Sequence, residues 1–395
     1  MSSRALFRLC GLSNHITARP LHTSEVSANS RVLLEERCKN GTLFLTINRP
    51  KALNALNLEV VTSLRAILAR EYQRVEPKQV IVLRGEGKSF CAGGDVRALR
   101  DGYMKGSLDY AKTFLKHEYM CDYLVRSLNR PNTTLIFIMD GYTMGGGLGL
   151  SIGSKIRVIT EKTLCAMPET AIGLFPDVGG TWFLSHDAFA GALGLFVGLT
   201  GHRLSPAECI IYRIATHHVP SDHIDDMMRE LREGQHEPIE IVKKYSRELD
   251  VKDYPLKSHE ETIRRCFSGA SVGQILNDLK QSNTDREWCQ EIYEILRKKS
   301  PLALEATFEL FKRSSQLTVE ESFALEYRAC LHFQSSNDFP EGVRAVVVDK
   351  DNQPRWSPSD VSQVTRRSVE SLTHPVVGVS DLDVTTGLHI QLRDE

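Results

Sequence analysis

Residues 134–150 read TLIFIMDGYTMGGGLGL, an apolar run followed directly by a glycine-rich segment. β-Branched and aromatic residues in such a run are typical of a buried strand, and the glycines allow a tight connection to the next element. Similar apolar runs occur at QVIVLRG (79–85), KIRVIT (155–160) and TLCAMP (163–168), and the segments between them are helical in pattern. Strands that alternate with helices predict an α/β fold in which glycine-rich turns connect the two.

The α/β pattern extends over residues 31–230. Its first part is predicted to be a hairpin, because RVLLEER and TLFLTI, between residues 31 and 47, flank the turn residues Asn40 and Gly41. These residue types supply the positive φ angles that a tight turn requires. From Leu58 onward apolar residues recur at helical spacing, which indicates the first helix.

The remainder of the chain has a different composition. Residues 237–259 are polar and linker-like, and later segments such as VGQILNDLK (272–280) and EWCQEIYEILRKKS (287–300) have the period and composition of helices. We therefore predict a helical C-terminal region over residues 231–370 that packs on the α/β core. Residues 371–395 lack a clear pattern and are predicted to form a loosely structured tail.

Composition excludes several classes of protein. The 395 residues are 41% hydrophobic and 25% charged, as in an ordinary globular protein. The formal net charge of −1 provides no basic excess, so a nucleic-acid partner is not expected. No stretch approaches the ~20 apolar residues that a membrane-spanning helix needs, so no membrane association is expected. The nine cysteines form no Cys-x-x-Cys pair and are typical of reduced intracellular thiols. The oligomeric state stays open, a homo-oligomer included.

The N-terminal residues carry a targeting pattern. The stretch MSSRALFRLCGLSNHITARPLHTSE contains three arginines and several small or hydroxyl residues, and its first acidic residue is Glu25. This composition is typical of a mitochondrial transit peptide, although a disordered tail would have a similar one. We therefore predict a transit peptide over residues 1–30 and localisation in the mitochondrial matrix.

Three glycine-containing junctions suggest a binding role for the backbone: SFCAGGD (89–95), TMGGGLGL (143–150) and AMPETAIGLFPDVGG (166–180). Glycine at the start of a helix lets N–H groups approach a ligand closely, and the helix dipole adds positive potential there. Two such N–H groups aimed at one point would form an oxyanion hole. The alternative is that these glycines only form tight turns.

Two carboxylates, Glu169 and Asp177, lie in the stretch AMPETAIGLFPDVGG (166–180), which is otherwise small or apolar. A buried acid costs several kcal/mol, about 2 to 7 for a polar group without a partner, unless it is paired, hydrogen-bonded or protonated. Glu169 would otherwise be an exposed strand-end residue, and Asp177 could cap the helix that begins at VGGTWFL. Together with the backbone amides, the two acids favour chemistry at the carbonyl of an activated acyl compound.

Other motifs are weaker. GEGKS (85–89) lacks the first glycine of a phosphate-binding loop. GLSIG (149–153) matches a nucleophile elbow, but the segment before Ser151 is too rich in glycine to be the required strand, so Ser151 is predicted to pack within a helix. Cys91 has no nearby cation that would activate it and is predicted to be a buried thiol. No His, Cys and carboxylate residues have metal-ligand spacing, so no metal ion is predicted.

The motifs together resemble those of a known family. NRPKALNAL (48–56), SFCAGGD, DGYTMGGGLGL and MPETAIGLFPDVGG are similar to those of the crotonase (enoyl-CoA hydratase/isomerase) superfamily, whose members bind acyl-CoA thioesters in a ββα spiral. The resemblance implies a crotonase-like acyl-CoA-binding core over residues 31–230, followed by the helical C-terminal region. HEYM (117–120), LTGHRL (199–204) and FPEGVRAVVVDKDNQPRWSP (339–358) are similar to a hydrolase subfamily of that superfamily and extend the likeness to about residue 370.

The resemblance assigns backbone roles first. The N–H groups of Gly94 and Gly146 would form the oxyanion hole around the thioester carbonyl. The segment Lys51, Ala52 and Leu53 would hold the CoA. No separate cofactor is implied, because CoA is part of the substrate.

The acidic residues receive the chemical roles. Glu169 would attack the thioester carbon to give a mixed anhydride or would activate a water molecule, and the sequence leaves both open. Asp177 would hydrogen-bond the 3-hydroxyl of the substrate or position water, and Glu118 would line the same pocket. Hydratases of the superfamily use a second glutamate, which would fall at Gly149 in this chain, so hydration is not expected.

The activity implied is hydrolysis of 3-hydroxyisobutyryl-CoA in valine catabolism, with 3-hydroxypropionyl-CoA as a further substrate. One alternative is a structural protein of the mitochondrial small ribosomal subunit, since relatives of the subfamily have that role. The near-neutral charge argues against it, because RNA binding needs a basic patch. An enoyl-CoA hydratase-like enzyme is the other alternative.

Overall fold

The computed structural model describes residues 32–389 except for residues 75, 77, 187, 188 and 253. The predicted transit peptide, residues 1–30, and the last part of the predicted tail, residues 390–395, therefore lie outside the described residues.

The strands of the described chain form two sheets. A six-stranded sheet has the order β1-β2-β3-β5-β7-β9, and a three-stranded sheet has the order β4-β6-β8. Only β1 and β2 pair in antiparallel fashion, and the other pairs are parallel. The strands are β1 (Leu33–Arg37), β2 (Leu43–Ile47), β3 (Gln79–Gly85), β4 (Ser89–Cys91), β5 (Thr133–Met139), β6 (Tyr142–Met144), β7 (Ile156–Ile159), β8 (Leu164–Ala166) and β9 (His217–His218).

Helices account for most of the remaining described residues. They are α1 (Leu58–Gln73), α2 (Val96–Met104), α3 (Asp109–Ser127), α4 (Gly146–Ile152), α5 (Gly180–Leu184), α6 (Ala192–Thr200), α7 (Pro206–Ile211), α8 (Ile224–Glu233), α9 (Pro238–Tyr245), α10 (Glu260–Cys266), α11 (Val272–Gln281), α12 (Arg286–Arg297), α13 (Pro301–Ser314), α14 (Val319–Gln334), α15 (Asp338–Val343) and α16 (Arg366–Ser371). A π-helical turn, Arg344–Val348, follows α15 directly. Short 3₁₀ turns include Pro50–Ala52, Glu169–Ile172 and Val384–His389.

The predicted hairpin is present as β1 and β2. Of its two turn residues Gly41 has a positive φ of 85°, whereas Asn40 is not among the residues with positive φ. The side chain of Asn40 instead accepts a hydrogen bond from the Thr42 N–H and donates one to the Leu231 carbonyl. The turn is therefore held by an asparagine side chain as well as by the backbone freedom of glycine.

The small sheet determines where the site lies. Its three parallel strands end close together, with Cys91 opposite Thr143 and Met144 opposite Ala166. The segments that follow these strands contain Gly94, Gly146 and Glu169. Because parallel strands bring their carboxyl ends to one edge, three sites that are far apart in sequence meet there.

The helical C-terminal region shares one hydrophobic core with the α/β part. Buried residues of β1 to β3, α1 and α3 belong to the same cluster as Leu304 of α13 and Phe333 of α14. A second, smaller cluster contains Val82 of β3 and Met227 of α8. The prediction that the helical region packs on the core is therefore confirmed.

Two local predictions differ from the structure. The linker-like segment 237–259 contains α9, in which Ile241 and Val242 are buried. The sequence 371–389 includes the buried residues Leu372 and Val384, and its last turn packs on α1 and α3. In both segments a few apolar residues are buried against distant elements, and they are too sparse to produce a periodic pattern.

Candidate active site

A cavity of about 230 Å³ lies at the carboxyl ends of β4, β6 and β8. The cavity is also lined by Cys330 and Gln334 of α14 and by Val346 and Val347 of the π-helical turn. The predicted site residues Gly94, Glu118, Gly146, Glu169 and Asp177 all line it. A larger and more open groove of about 1050 Å³ lies between α13, α14 and α16 and is lined by none of them.

Gly94 and Gly146 lie side by side. A Cβ atom placed on Gly146 would be 3.3 Å from the Gly94 amide nitrogen. The Leu56 N–H donates to the Gly93 carbonyl and the Leu56 carbonyl accepts from the Asp95 N–H, so this pairing leaves the Gly94 N–H unused. Neither glycine amide donates a hydrogen bond within the described chain. Two neighbouring, unused N–H groups beside a cavity have the arrangement that an oxyanion requires.

Glu169 begins a 3₁₀ turn directly after Pro168, at the end of β8. A Cβ atom on Gly145 would lie only 2.5 Å from Glu169 Oε1, so the glycine gives this carboxyl its space. Glu169 Oε2 has no hydrogen-bond partner among the described residues. Burial raises the pKa of Glu169 well above its ordinary value, and the nearby Asp177 adds to the rise while Lys299 opposes it.

Lys299 was not identified from the sequence. Its pKa falls to about 8, chiefly because the ammonium group is buried, and the charge of Glu169 counteracts that fall. A Cβ atom on Gly201 would lie 3.7 Å from the Lys299 amine and 3.1 Å from Pro168 Cα. Lys299 does not line the cavity, but its ammonium group is close enough to Glu169 to favour the ionised carboxylate.

Asp177 is held by two side chains. The Tyr119 hydroxyl donates to Asp177 Oδ2 over 2.9 Å, and the Cys330 thiol donates to the same oxygen over 3.4 Å. Burial raises the pKa of Asp177 to about 6, and the hydrogen bonds from Tyr119 and Cys330 limit the rise. Asp177 can therefore exchange a proton near neutral pH.

Asp177 does not cap α5, which was the alternative role that the sequence left open for it. The N-cap of α5 is Gly179, without a side-chain cap from its own segment. The capping carboxylate comes from Glu326 of α14, which accepts the Gly179 N–H over 2.7 Å and the Thr181 N–H over 2.9 Å. Because a distant acid satisfies the helix terminus, the Asp177 carboxyl is directed to other partners.

Glu118 projects from α3 to the two glycines. Its Oε1 atom lies 2.5 Å from the position of a Cβ on Gly146 and 3.3 Å from one on Gly94, and it has no hydrogen-bond partner among the described residues. Burial raises the pKa of Glu118 well above its ordinary value, and the charges of Asp177 and Glu169 add to the rise. The three carboxyl groups share one cavity, so ionisation of one makes ionisation of the others less favourable.

Gly149 has no room for a side chain. A Cβ atom there would lie 2.5 Å from Val178 Cβ and 2.7 Å from the Val178 carbonyl oxygen. Val178 itself has a φ of 56°, which is strained for a β-branched residue. Strain at the residue after Asp177 indicates that the surrounding packing fixes the backbone at this point.

Lys51, Ala52 and Leu53 lie outside the cavity. They are exposed and belong to the turn that precedes Asn54. The Leu53 carbonyl accepts the Ala92 N–H over 3.0 Å, and the Asn54 amide donates to the Ser89 carbonyl over 2.7 Å. The turn is thus fixed beside β4, next to the segment that carries Gly94.

The alternative nucleophiles are inaccessible. The Ser151 hydroxyl is fully buried in α4 and donates to the Gly147 and Leu148 carbonyls. Burial raises the pKa of the Cys91 thiol to about 12, so it remains protonated. Both sequence-based interpretations, a packed serine and a buried thiol, are confirmed. Within the part of the chain that the structure describes, no three or more His, Cys, Asp or Glu side chains are arranged so that they could hold a metal ion. No helix of the same residues has the length and apolar character to cross a membrane.

Three buried polar residues on one face of α14 were not identified from the sequence. Glu326, Cys330 and Gln334 are spaced four residues apart, so they lie along one face of the helix. All three are buried, and they contact the 177–181 segment or line the cavity. The signal available in the sequence was this spacing of polar residues on a face that is otherwise apolar.

Comparisons with known proteins agree on one family. The family model described as Enoyl-CoA hydratase/isomerase matches residues 42–373. The chain is 38% identical over 357 residues to "3-hydroxyisobutyryl-CoA hydrolase, mitochondrial" of Danio rerio, covering 88% of this chain and 91% of the relative. The protein of the same name from Homo sapiens is 36% identical over 395 residues, 97% of this chain and 100% of the relative. The crystal structure of a carnitinyl-CoA dehydratase from Mycobacterium thermoresistibile is similar with a TM-score of 0.79 and 33% identity, over 88% of this chain and 98% of that one.

Proposed function

Because the chain belongs to the enoyl-CoA hydratase/isomerase family, we propose that it is an enzyme that hydrolyses 3-hydroxyisobutyryl-CoA to 3-hydroxyisobutyrate and CoA. Membership confirms the predicted crotonase-like α/β core with a helical C-terminal region. Relatives that carry the hydrolase name match over most of both chains. Neither the ribosomal protein nor the hydratase of the sequence analysis is favoured by these relatives.

The proposal rests on which acidic residues line the cavity and on which one is missing. Glu169 and Asp177 line a buried cavity beside two unused backbone amides. Val178 occupies the space beside Gly149, where a hydratase would need its second glutamate. The cavity therefore supports attack at a carbonyl rather than addition of water across a double bond.

The reaction begins with the thioester carbonyl oxygen at the amides of Gly94 and Gly146. Ionised Glu169 either attacks the carbonyl carbon or removes a proton from the attacking water. Negative charge then develops on the oxygen, where the two N–H groups stabilise it. When the tetrahedral centre collapses, the C–S bond breaks and its electron pair stays on the CoA sulfur. In the water route the proton held by Glu169 passes to the CoA thiolate or to solvent. In the covalent route a water molecule then attacks the mixed anhydride, which releases 3-hydroxyisobutyrate and a proton and restores the Glu169 carboxylate. Asp177 positions water or the 3-hydroxyl.

The opposing influences on Glu169 fit this role. Its neighbours raise its pKa, which favours the protonated form, and Lys299 favours the ionised form. A raised pKa makes the ionised carboxylate a stronger base toward the attacking water. The exposed turn formed by Lys51, Ala52 and Leu53 lies beside the cavity. In the proposed reaction this turn holds the CoA portion of the substrate.

Several further properties follow from the proposed reaction. No cofactor is needed, because CoA enters and leaves as part of the substrate. 3-Hydroxypropionyl-CoA, which lacks one methyl group, is a second substrate. The relatives named above are mitochondrial by name, and we place this enzyme in the mitochondrion and, more finely, in its matrix.

The test compares two substitutions in the purified protein. Glu169→Gln removes the ionisable group with little change in volume and is expected to reduce hydrolysis of 3-hydroxyisobutyryl-CoA by at least ~100-fold, the lower range for a general base or nucleophile. Ser151→Ala is the control and is expected to retain activity, because the serine hydroxyl only bonds its own helix. The proposal fails if Glu169→Gln keeps near-full activity while Ser151→Ala abolishes it.

A further inference from the structure

Gln334 is a buried amide that the proposed mechanism does not use. It is the last residue of α14 and lines the cavity. Its side chain is only 1% exposed, yet both Oε1 and Nε2 have no hydrogen-bond partner among the described residues. Because leaving a buried amide unpaired is unfavourable, such a group in a cavity wall indicates a ligand that pairs with it.

The position of Gln334 places it near the acids. It follows Cys330 by one helical turn, so the two side chains lie on the same face of α14. The Cys330 thiol is 3.4 Å from Asp177 Oδ2. Gln334 therefore lies on the side of the cavity formed by α14 and Asp177, whereas Gly94 and Gly146 lie beside Glu118.

We propose that Gln334 determines specificity for 3-hydroxyacyl chains by hydrogen-bonding the 3-hydroxyl of the substrate. The inference rests on the proposed function and deepens it, since it names the group that reads the acyl chain. Among the polar side chains that line the cavity, Glu118, Glu169 and Asp177 are acids and Cys330 already bonds Asp177. Gln334 is the polar lining residue with neither a charge to titrate nor a partner.

The chemistry of the amide fits a hydroxyl group. A carboxamide both donates through its NH₂ and accepts through its oxygen, and an alcohol also does both. An acyl chain without the hydroxyl would leave the buried amide unpaired and would be rejected. With the hydroxyl bound by Gln334, Asp177 is free to position water, which resolves the two roles that the sequence left open for it.

The cavity walls around the amide are consistent with a short branched chain. Ile172, Leu174, Val346 and Val347 contribute apolar surface to the same cavity. Its volume of about 230 Å³ accommodates a small acyl group and leaves the bulky CoA outside. A neutral amide in the same lining gives a hydroxylated chain a hydrogen-bonding position that an unhydroxylated chain does not use.

The test measures kcat/KM for two matched pairs of substrates, 3-hydroxyisobutyryl-CoA with isobutyryl-CoA, and 3-hydroxypropionyl-CoA with propionyl-CoA. In Gln334→Leu, kcat/KM for the hydroxylated substrates is expected to fall about 10- to 100-fold, the effect of losing one buried hydrogen bond. The values for the unhydroxylated substrates are expected to stay the same or rise. Gln334→Met, which keeps the length of the side chain without its amide, is expected to behave likewise and serves if the leucine variant does not fold.

Gln79→Leu is the matched control. Gln79 is also a buried glutamine, but its amide donates to the Glu71 carbonyl and accepts from the Thr133 hydroxyl, away from the cavity. Its substitution is expected to lower stability without changing the ratio of hydroxylated to unhydroxylated substrates.

The outcomes separate the two proposals. If the wild type hydrolyses 3-hydroxyacyl-CoA and both Gln334 variants keep its substrate ratio, the role of Gln334 is wrong and the proposed function stands. An equal loss for both members of each pair would show a merely structural role and would also overturn the inference. If the wild type hydrolyses none of the four thioesters, the proposed function is wrong and this inference falls with it.

Discussion

Replacing Gly146 with alanine tests whether the two glycine amides stabilise charge during the reaction. The added Cβ atom would lie 2.5 Å from Glu118 Oε1 and 3.3 Å from the Gly94 amide nitrogen. It would therefore displace the Glu118 carboxyl into the space beside the two amides. Gly146 is not among the residues with positive φ, so alanine fits its backbone without strain.

The expected effect is large on catalysis and small on stability. Alanine keeps its backbone N–H, but a Glu118 carboxyl moved against the amides would occupy the position of the oxyanion and disable the donor there. Loss of one oxyanion donor reduces kcat by roughly 10²- to 10³-fold. Because the donor acts mainly in the transition state, kcat should fall more than KM changes. For stability, alanine in a helix gains about 0.5 to 1 kcal/mol over glycine, and moving the flexible end of Glu118 offsets part of that gain. The net change should shift Tm by no more than about 2 to 4 °C in a chain of this size.

The assay combines steady-state hydrolysis of 3-hydroxyisobutyryl-CoA with thermal unfolding of the same preparations. Gly273→Ala in α11 is the control for the backbone effect, because a Cβ there would contact only Ser271 Oγ at 3.8 Å, and full activity is expected. Gly147→Ala is the control for a clash, because its Cβ would lie 2.4 Å from the Cys91 carbonyl oxygen, and a loss of stability is expected. If Gly146→Ala keeps more than about a tenth of kcat with an unchanged Tm, the assignment of these amides to the oxyanion hole is refuted.

Two further predictions concern protons. Tyr119→Phe removes a hydrogen bond that lowers the pKa of Asp177, which is about 6 in the wild type. The acid limb of the pH profile of kcat/KM should therefore move to higher pH. An acid limb that does not move would contradict a role for ionised Asp177. Burial raises the pKa of Glu326 from 4.5 to about 8, so the folded state binds this proton more tightly than the unfolded state and stability is lost as pH rises between those values. The free energy of unfolding, measured by urea titration, should therefore fall more steeply from pH 5 to 8 in the wild type than in Glu326→Gln, and parallel pH profiles would exclude this contribution.

The sequence predicted those features that depend on short segments. Buried parallel strands were recognised from apolar runs such as 79–85 and 134–139, because burial on both faces leaves a continuous pattern. Gly94, Gly146, Glu169 and Asp177 were identified from local motifs, and the structure brings them to one cavity. Lys51 to Leu53 are the exception, since they lie on the surface beside that cavity.

Features that depend on distant partners were not predicted. Glu326 caps a helix start at Gly179, 147 residues away in sequence. Nothing in the local sequence shows which acid will satisfy that terminus, and the nearest one, Asp177, which the sequence allowed as a cap, does not fill that role. Gln334 and Cys330 belong to a helix that the sequence identified correctly, but the face it turns toward the cavity depends on how α14 packs against α3 and α5.

The neutrality of Gln334 has a consequence for the acids beside it. Glu118 and Glu169 already have pKa values raised by burial and by neighbouring carboxyl groups. A carboxylate in place of Gln334 would raise the pKa of Glu169 further and make its ionised, reactive form scarcer. A cation there would bind the carboxylates and compete with the substrate. A neutral amide reads a hydroxyl without changing these charges, so selectivity for the acyl chain and ionisation of Glu169 are adjusted by different residues.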